Sequence, residues 1–168
     1  MATPTTLPAT FVSSNVLTAA SMNDLRGAFR VLQVVYGTTD SAAANSTTTY
    51  ADTGLTATIT PSDASSKVLV IVQQNGCGKE AGSASSELQI QLLRTSTQIG
   101  FASGGGTNVS EVSYFGTIGM TVLDSPATTS AVTYKTQFKN YVAAASVRVQ
   151  TGSVTGNRST IILMEISA

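Results

Sequence analysis

Short apolar segments with a two-residue period dominate the chain from residue 31 onward, and they constrain the fold more than any other feature. In one segment, Leu88, Ile90 and Leu92 alternate with other side chains, and in another Tyr134 and Phe138 alternate with lysine and glutamine. Because successive side chains of a β-strand point to opposite faces, this pattern is typical of half-buried strands. The sequence therefore predicts an all-β fold.

Turn residues separate these segments at intervals of about 8 to 12 residues, the spacing expected of a sandwich or a barrel. The candidate strands are residues 31–36, 47–51, 55–60, 67–73, 87–95, 98–102, 115–123, 131–138, 146–151 and 159–166. Residues 75–86 and 103–110 are predicted to be long loops, and loops of that length are either mobile or functional.

The last candidate strand has four consecutive apolar residues, Ile161 to Met164, so both of its faces should be covered. One interpretation is a central strand of the sandwich. The other is that the second face contacts another subunit, in which case Ile161, Leu163 and Met164 form a subunit interface.

The N-terminal segment has a different character, and we predict residues 1–30 to be an arm with one short helix and residues 31–168 to be the β-sandwich domain. Residues 1–15 are rich in Thr and Pro, which favours an extended backbone. Residues 19–30 carry apolar side chains at three- and four-residue spacing, which predicts a helix with Thr18 as its N-cap.

Most catalytic and cofactor chemistries lack the residues that they need. The chain has no histidine, which excludes Ser-His and Cys-His nucleophilic pairs and histidine-bound zinc or haem. Cys77 is the only cysteine, so we interpret it as a small residue and not as a reactive thiol beside Lys79. We expect no catalytic residue, metal or cofactor. The alternative that stays open is a pair of carboxylates for glycoside hydrolysis, since two such residues can meet only in the folded chain.

Charge is scarce and balanced, with nine basic and nine acidic residues. Only 11% of residues are charged, against about 25% in an average domain. No basic surface for nucleic acid is indicated, and no apolar run is long enough to insert into a membrane. The 42% apolar content with a net charge near zero favours burial against neighbouring subunits, and the first residues lack the features of a signal peptide.

Several stretches resemble a known class of proteins. The segment LPATFVSSNVLTAASMNDLR resembles the opening of many small bacteriophage virion proteins. The segments TGLTATITPSDASSKVLVIVQQ, ELQIQLLR, LDSPATTSAVTYKTQFK and NRSTIILMEISA are similar to a jelly-roll domain found at the tips of phage tail fibres and in other exposed virion parts. Together they cover most of the chain.

The resemblance implies a homotrimeric virion structural protein with an antiparallel, jelly-roll-like β-sandwich of about 8–10 strands. It would be an exposed appendage of the tail-fibre type, assembled in the host cytoplasm onto other virion proteins of the tail or the major capsid, and it could contact a host surface glycan. Because no shaft separates arm and body, a capsid decoration protein is the alternative, and a free carbohydrate-binding sandwich is a second one. The expected particle-attachment residues are Leu7, Phe11, Val16, Leu17, Met22, Leu25 and Phe29. The competing interpretation is that these residues cover the sandwich of their own chain.

Overall fold

The computed structural model describes residues 30–106, 109–151 and 157–167. Within these ranges the secondary structure is entirely β, with no helix. The strands are β1 (Val31–Thr39), β2 (Ala43–Asn45), β3 (Ala51–Ile59), β4 (Lys67–Lys79), β5 (Glu87–Arg94), β6 (Thr97–Gly106), β7 (Ser113–Asp124), β8 (Val132–Asn140), β9 (Val147–Val149) and β10 (Ser159–Ile166). The predicted arm and helix lie outside the described residues, apart from Arg30.

Two antiparallel sheets pack against each other. The first sheet has the order β1-β10-β4-β7, and the short strands β9 and β2 continue it beside the last residues of β4. The second sheet has the order β3-β8-β5-β6. The strand pairs are nested along the chain, β1 with β10, β3 with β8, β4 with β7 and β5 with β6, as in a long hairpin that has been rolled up into a jelly roll. The predicted β-sandwich is confirmed.

The core lies between the sheets and is made by the alternating positions that the sequence indicates. Leu88, Ile90 and Leu92 of β5 and Tyr134 and Phe138 of β8 all point inward and are buried. Burial of an apolar side chain of this size contributes roughly 1.5–3 kcal/mol. From the first sheet, the inward face of β4 adds the valines at positions 68, 70 and 72.

A chain of hydrogen bonds also crosses the core. Thr53 Oγ1 lies 2.6 Å from Thr136 Oγ1, which donates to Gln74 Oε1 at 3.0 Å. Gln74 Nε2 donates in turn to Ser159 Oγ at 3.0 Å. All four residues are buried, and an unpaired polar group costs about 1–3 kcal/mol there. The network therefore fixes the second sheet against the first in one register.

Three predicted segments differ from the structure. The predicted loop at 103–110 is too long, because β6 continues to Gly106 in pairing with β5. The predicted strand at residues 47–51 is wrong except at Ala51, where β3 begins, because residues 46–50 form a turn that Asn45 organises. Its Oδ1 accepts from the Thr47 backbone N–H at 2.8 Å, and its Nδ2 donates to the Thr49 carbonyl at 2.9 Å. The predicted loop at 75–86 is also too long, because β4 continues to Lys79 through a β-bulge in which Gly76 has a φ of +60°.

β10 is a central strand, between β1 and β4. Ile161 and Leu163 point into the core of their own chain and are fully buried, whereas Met164 lies on the outward face. The predicted subunit interface is therefore corrected for Ile161 and Leu163, because these side chains have no surface left for a partner. Met164 alone of the three can contact one.

Candidate functional site

The sandwich has two ends of different character. At one end, which we call the terminal end, lie Arg30, Ser167 and the connections 60–66, 95–96 and 125–131. The Arg30 backbone N–H donates to Ser167 Oγ at 3.1 Å, and the Ser167 N–H donates to the Arg30 carbonyl at 3.0 Å. Residues 1–29 therefore join the domain at this end.

The opposite end, which we call the loop end, carries the connections 80–86, 109–112 and 141–146. A strand of about nine residues at roughly 3.3 Å per residue separates the two ends, a distance of about 30 Å. Whatever binds at the loop end is therefore far from the point where the N-terminal segment leaves.

Lys79 connects two of these loops, 80–86 and 109–112, from the buried side. It is buried at the end of β4, and its Nζ donates to the Ser83 carbonyl at 2.8 Å and to the Val109 carbonyl at 2.5 Å. A buried ammonium is costly unless its donors are satisfied. Any movement of either loop would weaken these bonds, so Lys79 restrains both.

Asn140 restrains the third loop. Its Nδ2 donates to Ser86 Oγ at 3.0 Å and to the Ala145 carbonyl, and its Oδ1 accepts from the Glu87 backbone N–H at 3.0 Å. The side chain is fully buried. The loop end is therefore a preorganised surface, which lowers the entropy cost of binding a partner.

Exposed rings and apolar side chains stand on this surface. Tyr114 is 81% exposed and Tyr141 is 60% exposed, and Val109 and Val112 are exposed as well. Tyrosine combines a broad apolar face with a polar hydroxyl, which suits it to contacts with glycans and proteins.

A cleft of about 490 Å³ opens at the side of the loop end, beside β2 and β9. Asp40, Glu80, Arg148 and Gln150 line it, and Arg148 forms an ion pair with Glu80. Gln150 is buried, and its Oε1 has no hydrogen-bond partner. The cleft offers polar contacts to a small ligand.

Cys77 is not a reactive thiol. It is buried in β4 and its Sγ donates to the Gln74 carbonyl at 3.1 Å. Burial raises the pKa of the Cys77 thiol to about 12, so the thiolate is scarce at neutral pH. Among the described residues, no group of three or more His, Cys, Asp or Glu side chains could hold a metal ion.

Two carboxylates stabilise the terminal end. Asp124 accepts from Arg94 Nη1 at 2.9 and 3.0 Å and from the Tyr134 hydroxyl at 2.7 Å. Burial, together with the hydrogen bond to Asp124, raises the pKa of Tyr134, which keeps this hydroxyl protonated as a donor. The cluster links the end of β7 in the first sheet to β5 and β8 in the second.

Glu165 is the second of these carboxylates, and it is fully buried in β10. Its Oε1 accepts from the Ser62 N–H at 2.8 Å and from Ser62 Oγ at 2.7 Å, and its Oε2 accepts from Gln33 Nε2 at 2.6 Å. Burial raises the pKa of Glu165, but these hydrogen bonds outweigh burial and lower it to about 2. The carboxylate has a structural role, since it closes the β3–β4 connection onto β1 and β10.

The predicted site residues are placed as follows. The seven particle-attachment residues between Leu7 and Phe29 lie outside the described residues. Of the predicted interface residues, two are in the core and Met164 is on the outward face. Sequence reasoning missed Lys79 and Asn140, because each lies at the end of a strand beside loop residues and only its buried partners reveal its role.

Comparison with protein-family models and with curated proteins finds no match to this chain. In the part of the chain that the structure describes, no helix is long and apolar enough to cross a membrane.

Proposed function

We propose that the protein is a structural component of a bacteriophage particle, an exposed homotrimeric appendage of the tail-fibre type. Residues 1–30 hold it on other virion proteins, and the loop end faces the host surface. The observation that carries the proposal is that the two ends of the domain differ. The N-terminal segment joins at the terminal end, and the preorganised loops lie about 30 Å away at the other.

The fold supports this proposal without specifying it. Jelly-roll sandwiches occur in viral capsid proteins and in lectins, and fold alone does not determine function. The restraint of the loops by Lys79 and Asn140 suits a surface that must keep its shape outside a cell. The resemblance of both the N-terminal segment and the β-domain to virion proteins points to the same assignment.

The first experiment locates the protein in particles of the phage that encodes it. Particles are purified, labelled with an antibody against the protein and imaged, and its copy number is measured relative to the major capsid protein. Label at the tail with a low copy number supports the appendage. Label over the whole shell, at a copy number comparable with that of the major capsid protein, would establish the capsid decoration protein instead.

The second experiment tests attachment by the arm. In the full chain, Leu7→Asp with Phe11→Asp should abolish incorporation into particles, because charge replaces the apolar contacts. The matched control, Thr6→Asp with Thr10→Asp, adds the same charge at polar positions of the arm and should be incorporated normally. Normal incorporation of the first variant would contradict anchoring by these residues.

A free carbohydrate-binding sandwich is the second candidate, favoured by the exposed rings of Tyr114 and Tyr141. On a glycan array, the purified protein would bind a defined saccharide, and Tyr114→Ala or Tyr141→Ala would reduce that binding. Saccharide binding by a protein that is absent from purified particles would replace the virion assignment with this one.

A further inference from the structure

The outward face of the first sheet carries a continuous apolar surface, which we call the outer patch. Cross-strand pairing places Val34 beside Met164, Met164 beside Leu69, and Leu69 beside Leu123. The outer patch consists of Val31, Val34, Tyr36, Leu69, Ile71, Leu123, Ile162, Met164 and Ile166. Val34 is 57% exposed, Tyr36 59% and Leu123 58%, and the residues between them on β4 and β10 are half-buried.

The second sheet shows what a solvent-facing sheet looks like in this protein. Its outward face carries polar side chains that are paired with one another. Lys135 forms an ion pair with Asp52 at 2.9 Å, Gln137 donates to Asp52 at 2.8 Å, and Gln91 donates to Gln137 at 2.8 Å. Phe101 on the edge strand β6 is the exposed large apolar side chain of this second face. A continuous row of apolar side chains across four strands is therefore found on the first sheet.

The outer patch is large for a surface that stays in water. Four strands spaced about 4.8 Å apart give a width of about 14 Å at the row of Val34, and the five steps from Val31 to Tyr36 give a length of about 17 Å. Thr121 and Lys67 lie at the border of this area. With the side-chain margins, the area is about 400 Å², which reaches the largest exposed patches of typical monomers. Exposed patches of this size are often binding surfaces.

Its position on the sheet indicates what covers it. The next row of outward positions toward the loop end is Thr38, Thr160, Gln73 and Gly119, which is polar or lacks a side chain. The outer patch thus occupies the half of the face nearest the terminal end. Arg30 lies at this same end, directly before Val31, so the N-terminal segment enters the domain at the border of the patch.

We propose that the outer patch is the docking surface for residues 19–29 of the same chain. The predicted helix presents Met22, Leu25 and Phe29 on one side. About eleven helical residues span about 17 Å with a diameter of about 10–12 Å, which fits the dimensions of the patch. The patch carries no charge at its centre, and the helical stripe carries none either.

The area of the outer patch favours this segment over a second copy of the chain as the occupant. A stable interface between separate molecules buries about 800 Å² on each partner, roughly twice the area of the outer patch. A tethered segment acts at an effective concentration in the millimolar range, so a smaller area holds it in place. The inference narrows the proposed function. It leaves Leu7, Phe11, Val16 and Leu17 to contact a particle and assigns Met22, Leu25 and Phe29 to the domain itself. It also places Met164 beneath its own chain and not in a subunit interface.

Methionine methyl NMR on the isolated full chain tests the docking. The chain has four methionines, and Met22 and Met164 lie on the two surfaces that should meet. Met120, buried on the inward face of β7, reports on the integrity of the core. We expect a nuclear Overhauser effect between the methyl groups of Met22 and Met164 that is independent of protein concentration.

Leu25→Lys should abolish that effect, shift the Met164 signal, leave the Met120 signal in place and increase the binding of a hydrophobic dye several-fold. Ala20→Lys, which adds the same charge on the opposite side of the predicted helix, should change none of these. If the Met164 methyl signal keeps its position in the Leu25→Lys variant, the proposal is overturned. A Met164 signal that moves on dilution, together with an oligomer that dissociates, would assign the outer patch to a second copy instead. Neither result bears on attachment to particles, which is measured separately.

Discussion

Replacing Glu165 by glutamine should destabilise the domain strongly at neutral pH and much less in acid. The carboxylate accepts three hydrogen bonds, two from Ser62 and one from Gln33, and it is fully buried. An amide would turn one acceptor into a donor that faces existing donors. The pKa of Glu165 falls from 4.5 to about 2 on folding, which corresponds to about 3 kcal/mol of stability at about 1.4 kcal/mol per unit.

The direction of the pH dependence follows from the sign of that shift. Because the pKa in the folded state lies below that in the unfolded state, the stabilisation is fully present above about pH 5 and is lost as the pH falls toward about 2. The wild-type protein should therefore lose about 2 kcal/mol through Glu165 between neutral pH and about pH 3. The Glu165→Gln variant lacks this contribution at every pH.

Urea unfolding followed by far-UV circular dichroism, at a series of pH values from 7 down to about 3, measures both free energies. The difference between the two curves should fall from about 3 kcal/mol at neutral pH to about 1 kcal/mol near pH 3. Glu111→Gln, which removes an exposed carboxylate, serves as the matched control and should follow the wild-type protein. Curves for wild type and Glu165→Gln that stay parallel over the whole range would refute the assignment of a buried, ionised carboxylate.

Three further predictions concern the core and its edges. Gly37→Ala should destabilise the domain by more than about 2 kcal/mol in urea unfolding, since the new Cβ would meet a backbone oxygen of β3 at 2.2 Å, whereas Gly119→Ala, with its nearest atom at 3.7 Å, should stay near the wild-type value. Tyr134→Phe should cost about 1.5–3 kcal/mol, because the hydroxyl donates to the carboxylate of Asp124; an unchanged midpoint would argue against that bond. Cys77 should react with a thiol reagent only after unfolding, and fast labelling of the native protein would contradict its burial.

Much of the interior of the sandwich was predictable, because strands buried on one face, such as β5 and β8, alternate apolar and polar side chains. The alternation at Leu88, Ile90 and Leu92 identifies the inward face of β5 without reference to any other strand. The segment at residues 47–51 misled the prediction for the opposite reason. Its threonines have a high strand propensity, but the side chain of Asn45 bonds the backbone into a turn, and propensity does not include that competition.

The outer patch was not predictable, because it is assembled from four strands that are distant in sequence. Val34, Leu69, Leu123 and Met164 become neighbours only through the pairing of β1, β10, β4 and β7. The run of apolar residues in β10 indicated that both faces are covered, but it did not distinguish the core face from the outward face. That distinction needs the register, which the sequence does not specify.

The nested pairing of the strands has a consequence for how the protein is made. β1 is synthesised first, yet its partner is β10, which leaves the ribosome last. The average sequence separation of contacting residues is therefore large, which slows folding. During translation β1 has no partner, and its exposed edge and apolar side chains can pair with other nascent chains. Loss of β10 should therefore prevent the first strand from joining the sheet.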